Sequence, residues 1–275
     1  MIQIVGLRFG PSGVGKTSMI PTWKYVMEEG EYCFIFDFDN GLNSIRNPRT
    51  KALPKGFVSA TFMDKEFSVT ADRTHFRRKP NAFREAVETI YALEQGELAP
   101  DGYEGQPKVI VVDTITGLED VAMNLALTTD KKGGFGLGGG PAQQHWGAQM
   151  RYGDEFMRVL MSGEWHVDVT AHEKMEKDQV KGHVMVQLGI TGTKRPAAFP
   201  GMFDEFYHHE VNKDGRFVLR TKKSNLFDCK SRLSSDQENG VEILDEFEDI
   251  TFGQEPRGWG TIVKKVNDYW EQQDG

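Results

Sequence analysis

Gly10-Pro11-Ser12-Gly13-Val14-Gly15-Lys16-Thr17, with the apolar stretch 2–7 in front of it, is the segment from which the architecture of the chain follows. The stretch runs into glycine and proline, the form of a buried strand entering a loop, and a helix is expected from Gly15 onward. The octapeptide satisfies G-x-x-x-x-G-K-[ST] between that strand and that helix, the context in which the pattern marks a phosphate-binding loop. Glycines let successive backbone N–H groups turn inward around phosphate oxygens, the helix N-terminus adds its partial positive charge, and Lys16 reaches the terminal phosphates as a point charge. Thr17 is expected to hold Mg2+ through its hydroxyl. A chance glycine-rich turn is the competing reading, and the flanking strand and helix argue against it. Gly10, Pro11, Ser12, Gly13, Val14, Gly15, Lys16, Thr17 and Ser18 are therefore the expected contacts of ATP or GTP. Pro21 should kink or shorten the helix after its first turns.

Outward from this loop, residues 32–37 and 108–113 read as buried strands of the parallel-sheet kind, and both end in aspartate. Phe83, Val87, Ile90 and Tyr91 recur at helical spacing after a candidate cap at Asn81, and Leu118, Val121, Ala122 and Leu125 do the same after the later strand. Alternating strands and helices imply an α/β fold with a doubly wound, mainly parallel sheet. Residues 130–141 are glycine-rich and read as a mobile loop. Pro141 suits the first turn of a helix carrying Trp146, Met150, Met157 and Leu160 on one side. A fourth buried strand is expected at 167–171. Residues 173–200 are polar, basic and glycine-punctuated, with one apolar alternation at 184–188. Residues 206–211 and 216–221 flank Asn-Lys-Asp-Gly as a C-terminal antiparallel hairpin. Trp259, Ile262, Val263, Val266 and Trp270 mark a last amphipathic helix. The expected organisation is a core over 1–233 followed by an acidic segment and helix over 234–275.

Asp113, closing four consecutive aliphatic residues, stands where a second acidic element would join the Mg2+ shell through water. Asp37 and Asp39 follow Lys16 by 21 and 23 positions. Either could orient or deprotonate an attacking water, or simply form a strand-end turn with Asn40 and Gly41. His172 ends the fourth strand on the same edge and could sense a terminal phosphate, or serve as a satisfied strand-end polar group. Lys174, Lys177, Lys181, Lys194 and Arg195, with Phe199 and Phe203 beyond, could track a single-stranded backbone and stack bases. Glu173, Glu176 and Asp178 dilute that signal, and an ordinary solvated loop is the alternative.

The net charge of −8 would argue against a nucleic-acid partner, but its distribution qualifies this. Eight acidic residues and no Lys or Arg lie between Ser234 and Pro256, enough to account for the whole imbalance. The remainder is close to neutral, which permits a basic surface elsewhere. No apolar run approaches the roughly 18–20 residues of a membrane span, and the opening enters a strand pattern without a secretory signal. A cytoplasmic protein with no membrane partner is expected. Cys33 and Cys229 form neither a metal-ligand spacing nor a disulfide framework.

Taken in order, Gly10 to Thr17, Phe36-Asp37-Phe38-Asp39-Asn40-Gly41-Leu42, Val109-Ile110-Val111-Val112-Asp113-Thr114 and Thr170-Ala171-His172-Glu173 resemble a RecA-type ATPase core. The likeness is greatest to short phage-encoded single-strand annealing or recombination proteins, and it spans residues 1–233. The resemblance implies that Lys16, Asp39, Asp113 and His172 are catalytic, with Asp39 standing where RecA has glutamate, and that Thr17 and Asp113 hold Mg2+. It places DNA-binding loops at 130–141, which carries Lys131 and Lys132, and at 173–200, which carries Lys174, Lys177, Lys181, Lys194 and Arg195. It also implies that Lys230 and Arg232 reach a neighbour's nucleotide in a homo-oligomer, ring or filament, although the N-terminal oligomerisation extension of RecA is not seen. The implied activity is ATP-dependent single-stranded-DNA binding that promotes annealing or recombination, with a single-strand-binding protein as a further partner. A helicase motor, a regulatory NTPase without DNA activity and a small-acceptor kinase are the competing readings.

Overall fold

The computed structural model describes residues 3–64, 67–69, 74–76, 80–129, 141–177, 184–233, 235–236, 241–244, 247–248, 250–251 and 255–273. Its strands are β1 (Val5–Gly10), β2 (Cys33–Asp37), β3 (Phe57–Thr61), β4 (Phe67–Val69), β5 (Thr74–Phe76), β6 (Val109–Asp113), β7 (His166–Lys177), β8 (Val184–Leu188), β9 (Glu205–Val211), β10 (Phe217–Arg220), β11 (Lys230–Ser231), β12 (Ser235–Asp236), β13 (Val241–Glu242) and β14 (Phe247–Glu248). The main sheet runs β14-β10-β9-β1-β7-β6-β2-β3. From β9 to β3 every pairing is parallel, while β10, β14, β11 and β8 add on antiparallel. The expected doubly wound α/β sheet is the one observed.

Alternation along the strands divides the core in two. Leu7, Phe36, Ile110 and Val169 face a cluster closed by α2 (Ala82–Glu94), α3 (Ile115–Thr129) and α4 (Gln143–Met161), after the short α1 (Lys16–Met19). Ile35, Val109, Val111 and Leu219 face the opposite cluster, which includes Trp23, Trp259, Ile262 and Val266. Trp259 opens α6 (Trp259–Gln273), which follows α5 (Arg195–Ala198), so the last helix shares a core with the sheet.

Several elements differ from expectation for identifiable reasons. Arg8 ended the apparent apolar run, yet β1 continues to Gly10 because Asp168 on the adjacent strand pairs with it at 2.7 Å. The helix after the phosphate loop is shortened as Pro21 implied, lasting four residues before a 3-10 turn, Ile20–Tyr25, with Pro21 at its start. Asn81 precedes α2 but makes no side-chain cap; Asp64 Oδ1 instead accepts the N–H groups of Asn81 (2.9 Å) and Ala82 (3.1 Å). α4 starts two residues after Pro141, and its Trp146 is 41% exposed while Met157 and Leu160 are buried. β7 is twelve residues long. Its first half is central in the sheet, and its second half leaves to form a hairpin with β8.

One buried group gives the fold a pH dependence. His166 Nδ1 accepts the Ile4 N–H at 3.0 Å, and burial, reinforced by Lys108, holds the imidazole pKa down to about 4. The unfolded chain binds this proton near pH 6.5 and the folded one does not, so stability falls as pH drops through that window. Between pH 7 and 5 this residue should remove about 2 kcal/mol. Urea unfolding at the two pH values should show a smaller loss in His166→Gln; equal losses would refute the assignment.

Candidate active site

The topology sets the site before any side chain is considered. β7 separates β1 from β6, so Gly10, His172, Asp113 and Asp37 end on one edge in that order, the carboxyl edge where ligands bind in open α/β sheets. At Gly10 a Cβ would stand 2.4 Å from the His209 carbonyl oxygen, so the close packing of β1 on β9 excludes a side chain. Gly15 adopts φ +85°, a left-handed conformation natural to glycine, and turns the chain into α1.

Lys16 is buried, with its Nζ donating to the carbonyls of Gly10 (2.8 Å) and Pro11 (2.6 Å). Desolvation brings its pKa down to about 8, against the pull of Asp113. The Thr17 hydroxyl donates to Asp113 Oδ2 at 3.0 Å and the Thr170 hydroxyl to Oδ1 at 2.5 Å. Burial raises the Asp113 pKa, and these two donors moderate the rise. Both carboxylate oxygens are thus oriented, one toward the phosphate loop.

The two aspartates after β2 separate by environment. Asp37 is 1% exposed and accepts the Gly41 N–H (3.2 Å) and the Thr61 hydroxyl (3.4 Å), a strand-end turn. Asp39 faces the cleft, and its Oδ2 accepts the Thr114 hydroxyl at 2.9 Å and contacts His172 Nε2 at 3.1 Å. A Cβ at Gly117 would lie 2.3 Å from Asp39 Oδ1, so this glycine makes room for the carboxylate. A cleft of about 410 Å³ collects Ser12, Gly13, Gly15, Lys16, Thr17, Ser18, Asp39, Gly41, Ser44, Asp113, Thr114, His172 and Phe217. Gly10, Pro11 and Val14 complete the loop without lining that cleft.

The arrangement suits a nucleotide triphosphate and Mg2+. Lys16 and the loop's N–H groups would hold phosphates, and the Thr17 hydroxyl with the Asp113 carboxylate would hold the metal. Among the described residues no cluster of three or more His, Cys, Asp or Glu offers a metal site, so Mg2+ here would depend on phosphate oxygens and water for its remaining ligands.

Other expected contacts lie elsewhere. Lys230 and Arg232 sit near the start of β9, the end remote from Gly10, where Lys230 Nζ donates to the Phe203 carbonyl at 2.6 Å and Arg232 pairs with Asp204. They do not reach this chain's own cleft. Arg195, expected to contact DNA, is instead held between Glu119 and Asp154, and its guanidinium lies 4.9 Å from the Phe199 ring centre. Those acidic partners are 76 and 41 residues away in sequence, which hid the pairing. Lys174 Nζ donates to the Ile190 and Gly192 carbonyls, at 3.3 and 3.5 Å. Phe199 and Phe203 are buried against one another rather than offered to bases. Lys177 and Lys194 are exposed, while Lys131, Lys132 and Lys181 fall outside the described residues.

Sequence reading met Thr114 and Thr170 inside longer motifs without giving them a role, and missed Gly117 and Phe217, because each joins the site through a fold-level neighbour. It also missed Arg8, whose Nη1 donates to the Lys16 carbonyl at 2.9 Å. A lysine-bearing phosphate loop, a separate strand ending in a buried aspartate and a threonine bridging to it define a P-loop ATPase. The chain belongs to the AAA domain family, whose sequence profile matches residues 3–233.

No curated protein matches the sequence. Among solved structures, the RadB recombinase is similar over 78% of this chain and 79% of its own, with 13% identity and a TM-score of 0.39. A prototypical ATPase from the type III secretion system of pathogenic bacteria is similar over 97% of this chain, with 12% identity and a TM-score of 0.40. This chain spans 63% of the length of that ATPase. Among the described residues no helix is long and apolar enough to cross a membrane.

Proposed function

We propose that this protein is an ATP-dependent single-stranded-DNA-binding protein that promotes strand annealing or homologous recombination and hydrolyses Mg-ATP slowly. The observation that carries the reading is the continuity of β7. One strand brings His172 beside Asp39 and, five residues on, exposed Lys177 in the hairpin with β8. A change felt at Asp39 and His172 can therefore move the hairpin that presents Lys177 directly. Lys16 and Thr17 hold the triphosphate, and Mg2+ supplies charge neutralisation when bound. Asp39 accepts the proton of the attacking water, its carboxylate oriented by Thr114 and His172. Lys177 and Lys194, with Lys131, Lys132 and Lys181, contact the strand. The active form is a homo-oligomer in which Lys230 and Arg232 approach a neighbour's nucleotide, acting in the cytoplasm.

A second reading is a nucleotide-gated regulatory ATPase without DNA activity. It is favoured by the internal commitment of Lys174 and Arg195, which subtracts cations from the hairpin region. ATP hydrolysis by wild type and Lys16→Ala, each with and without single-stranded DNA, separates the two. The first reading expects DNA stimulation, lost with a fall on the order of 10²-fold in Lys16→Ala, and binding that weakens steeply with salt. Hydrolysis indifferent to DNA, with no DNA binding at low salt, would leave the regulatory reading.

A further inference from the structure

Resting on the nucleotide reading of this cleft, we infer that Phe217 is the platform on which the nucleotide base stacks, and that the cleft therefore takes ATP and GTP with little discrimination. Phe217 opens β10 and lines the same cleft as Ser12, Gly15, Thr17 and Ser18. The ring lies against Gly15: a Cβ there would meet its Cδ1, Cγ and Cε1 at 2.9, 3.2 and 3.3 Å. It is thereby placed beside the N-terminus of α1, where phosphate charge settles.

The ring is half-buried, whereas Val218 and Leu219, the next residues of its strand, are 1% and 0% exposed. Its position is fixed relative to the phosphate loop. β10 pairs with β9, β9 pairs with β1, and β1 runs into the loop. The connecting turn is braced by Asn212, whose Oδ1 accepts the N–H groups of Asp214 (3.0 Å) and Arg216 (2.9 Å). A nucleotide held by Lys16 and Thr17 thus meets a rigidly mounted aromatic face. Such a face stacks any base and reads none of its edges, which is why base identity matters little.

The decisive comparison sets nucleotides against inorganic tripolyphosphate, which has no base. Affinities of ATP, GTP and tripolyphosphate, each with Mg2+, are measured by calorimetry on wild type, Phe217→Ala, Phe217→Leu, Phe217→Tyr and Lys16→Ala. Phe217→Ala should weaken ATP and GTP by about tenfold or more and tripolyphosphate by less than about twofold. Phe217→Tyr should restore nucleotide affinity. Phe217→Leu, which keeps an apolar group against Gly15, should restore it only in part. Equal losses for ATP and tripolyphosphate would show that the ring merely supports the loop and would overturn the proposal, as would unchanged ATP affinity. If wild type binds neither ATP nor tripolyphosphate, or Lys16→Ala binds both as wild type does, the nucleotide reading itself fails and the platform with it.

Discussion

Asp168→Ala should destabilise the fold by about 3–5 kcal/mol. Asp168 and Arg8 are both fully buried. The carboxylate accepts Arg8 Nε at 2.7 Å and Nη2 at 2.8 Å, and its Oδ2 also accepts the indole N–H groups of Trp23 and Trp259, each at 2.9 Å. Removing it strands a guanidinium and two indole donors without water, and the cost is chiefly that of the unpaired charge. His209 cannot take over the role. Burial, and then Arg8, hold its pKa well below the usual value, so a neutral ring stands 3.0 Å from Arg8 Nη1. Arg8→Met with Asp168→Leu should cost less than Asp168→Ala alone, because the two indole donors still lose their acceptor but no charge remains to be stranded. Urea midpoints test both; a loss under about 1 kcal/mol for Asp168→Ala would refute the account.

The consequence reaches the phosphate loop and the last helix together. Arg8 holds the Lys16 carbonyl, while Trp259 stacks on Trp23 at 4.6 Å between ring centres. The segment matched by the family profile ends at Leu233, yet α6 beyond it supplies a donor to the carboxylate that fixes Arg8.

Asp39→Asn should lower kcat for ATP hydrolysis by about 10²–10⁴-fold with KM changed far less. The amide fills the same volume and can still accept from Thr114, but it cannot take a proton from water. Single-turnover hydrolysis at saturating Mg-ATP isolates the step. Asp37→Asn is the control, since Asp37 is tied into its turn and stands outside the cleft. A full-strength Asp39→Asn enzyme, or an Asp37→Asn enzyme losing as much, would remove Asp39 from the proton-transfer role.

Parts of this site were legible because they are local. Gly10 to Thr17 is a contiguous backbone device whose glycine spacing, lysine and threonine are its mechanism, and Asp113 declares itself by ending an aliphatic strand. Pro21 likewise shortened its helix through its own ring and missing N–H. Arg8 went unnoticed for the opposite reason, since a charge beside a strand has no evident role until a partner 160 residues away is known. Arg195 looked available to DNA for the same reason.

The sequence by itself determined the phosphate loop, the alternation of strands and helices, and the two acidic positions that follow Lys16, all of which depend on neighbours a few residues apart. The residues left Asp37 and Asp39 open, and the family resemblance favoured Asp39; only the tertiary structure decided that Thr170 and Thr114 orient the Asp113 and Asp39 carboxylates, that Arg195 is internal, and that Phe217 overlies Gly15. Each of these turns on which strands lie side by side, and strand order is set by burial of both sheet faces at once, a property of the whole chain that no single segment carries.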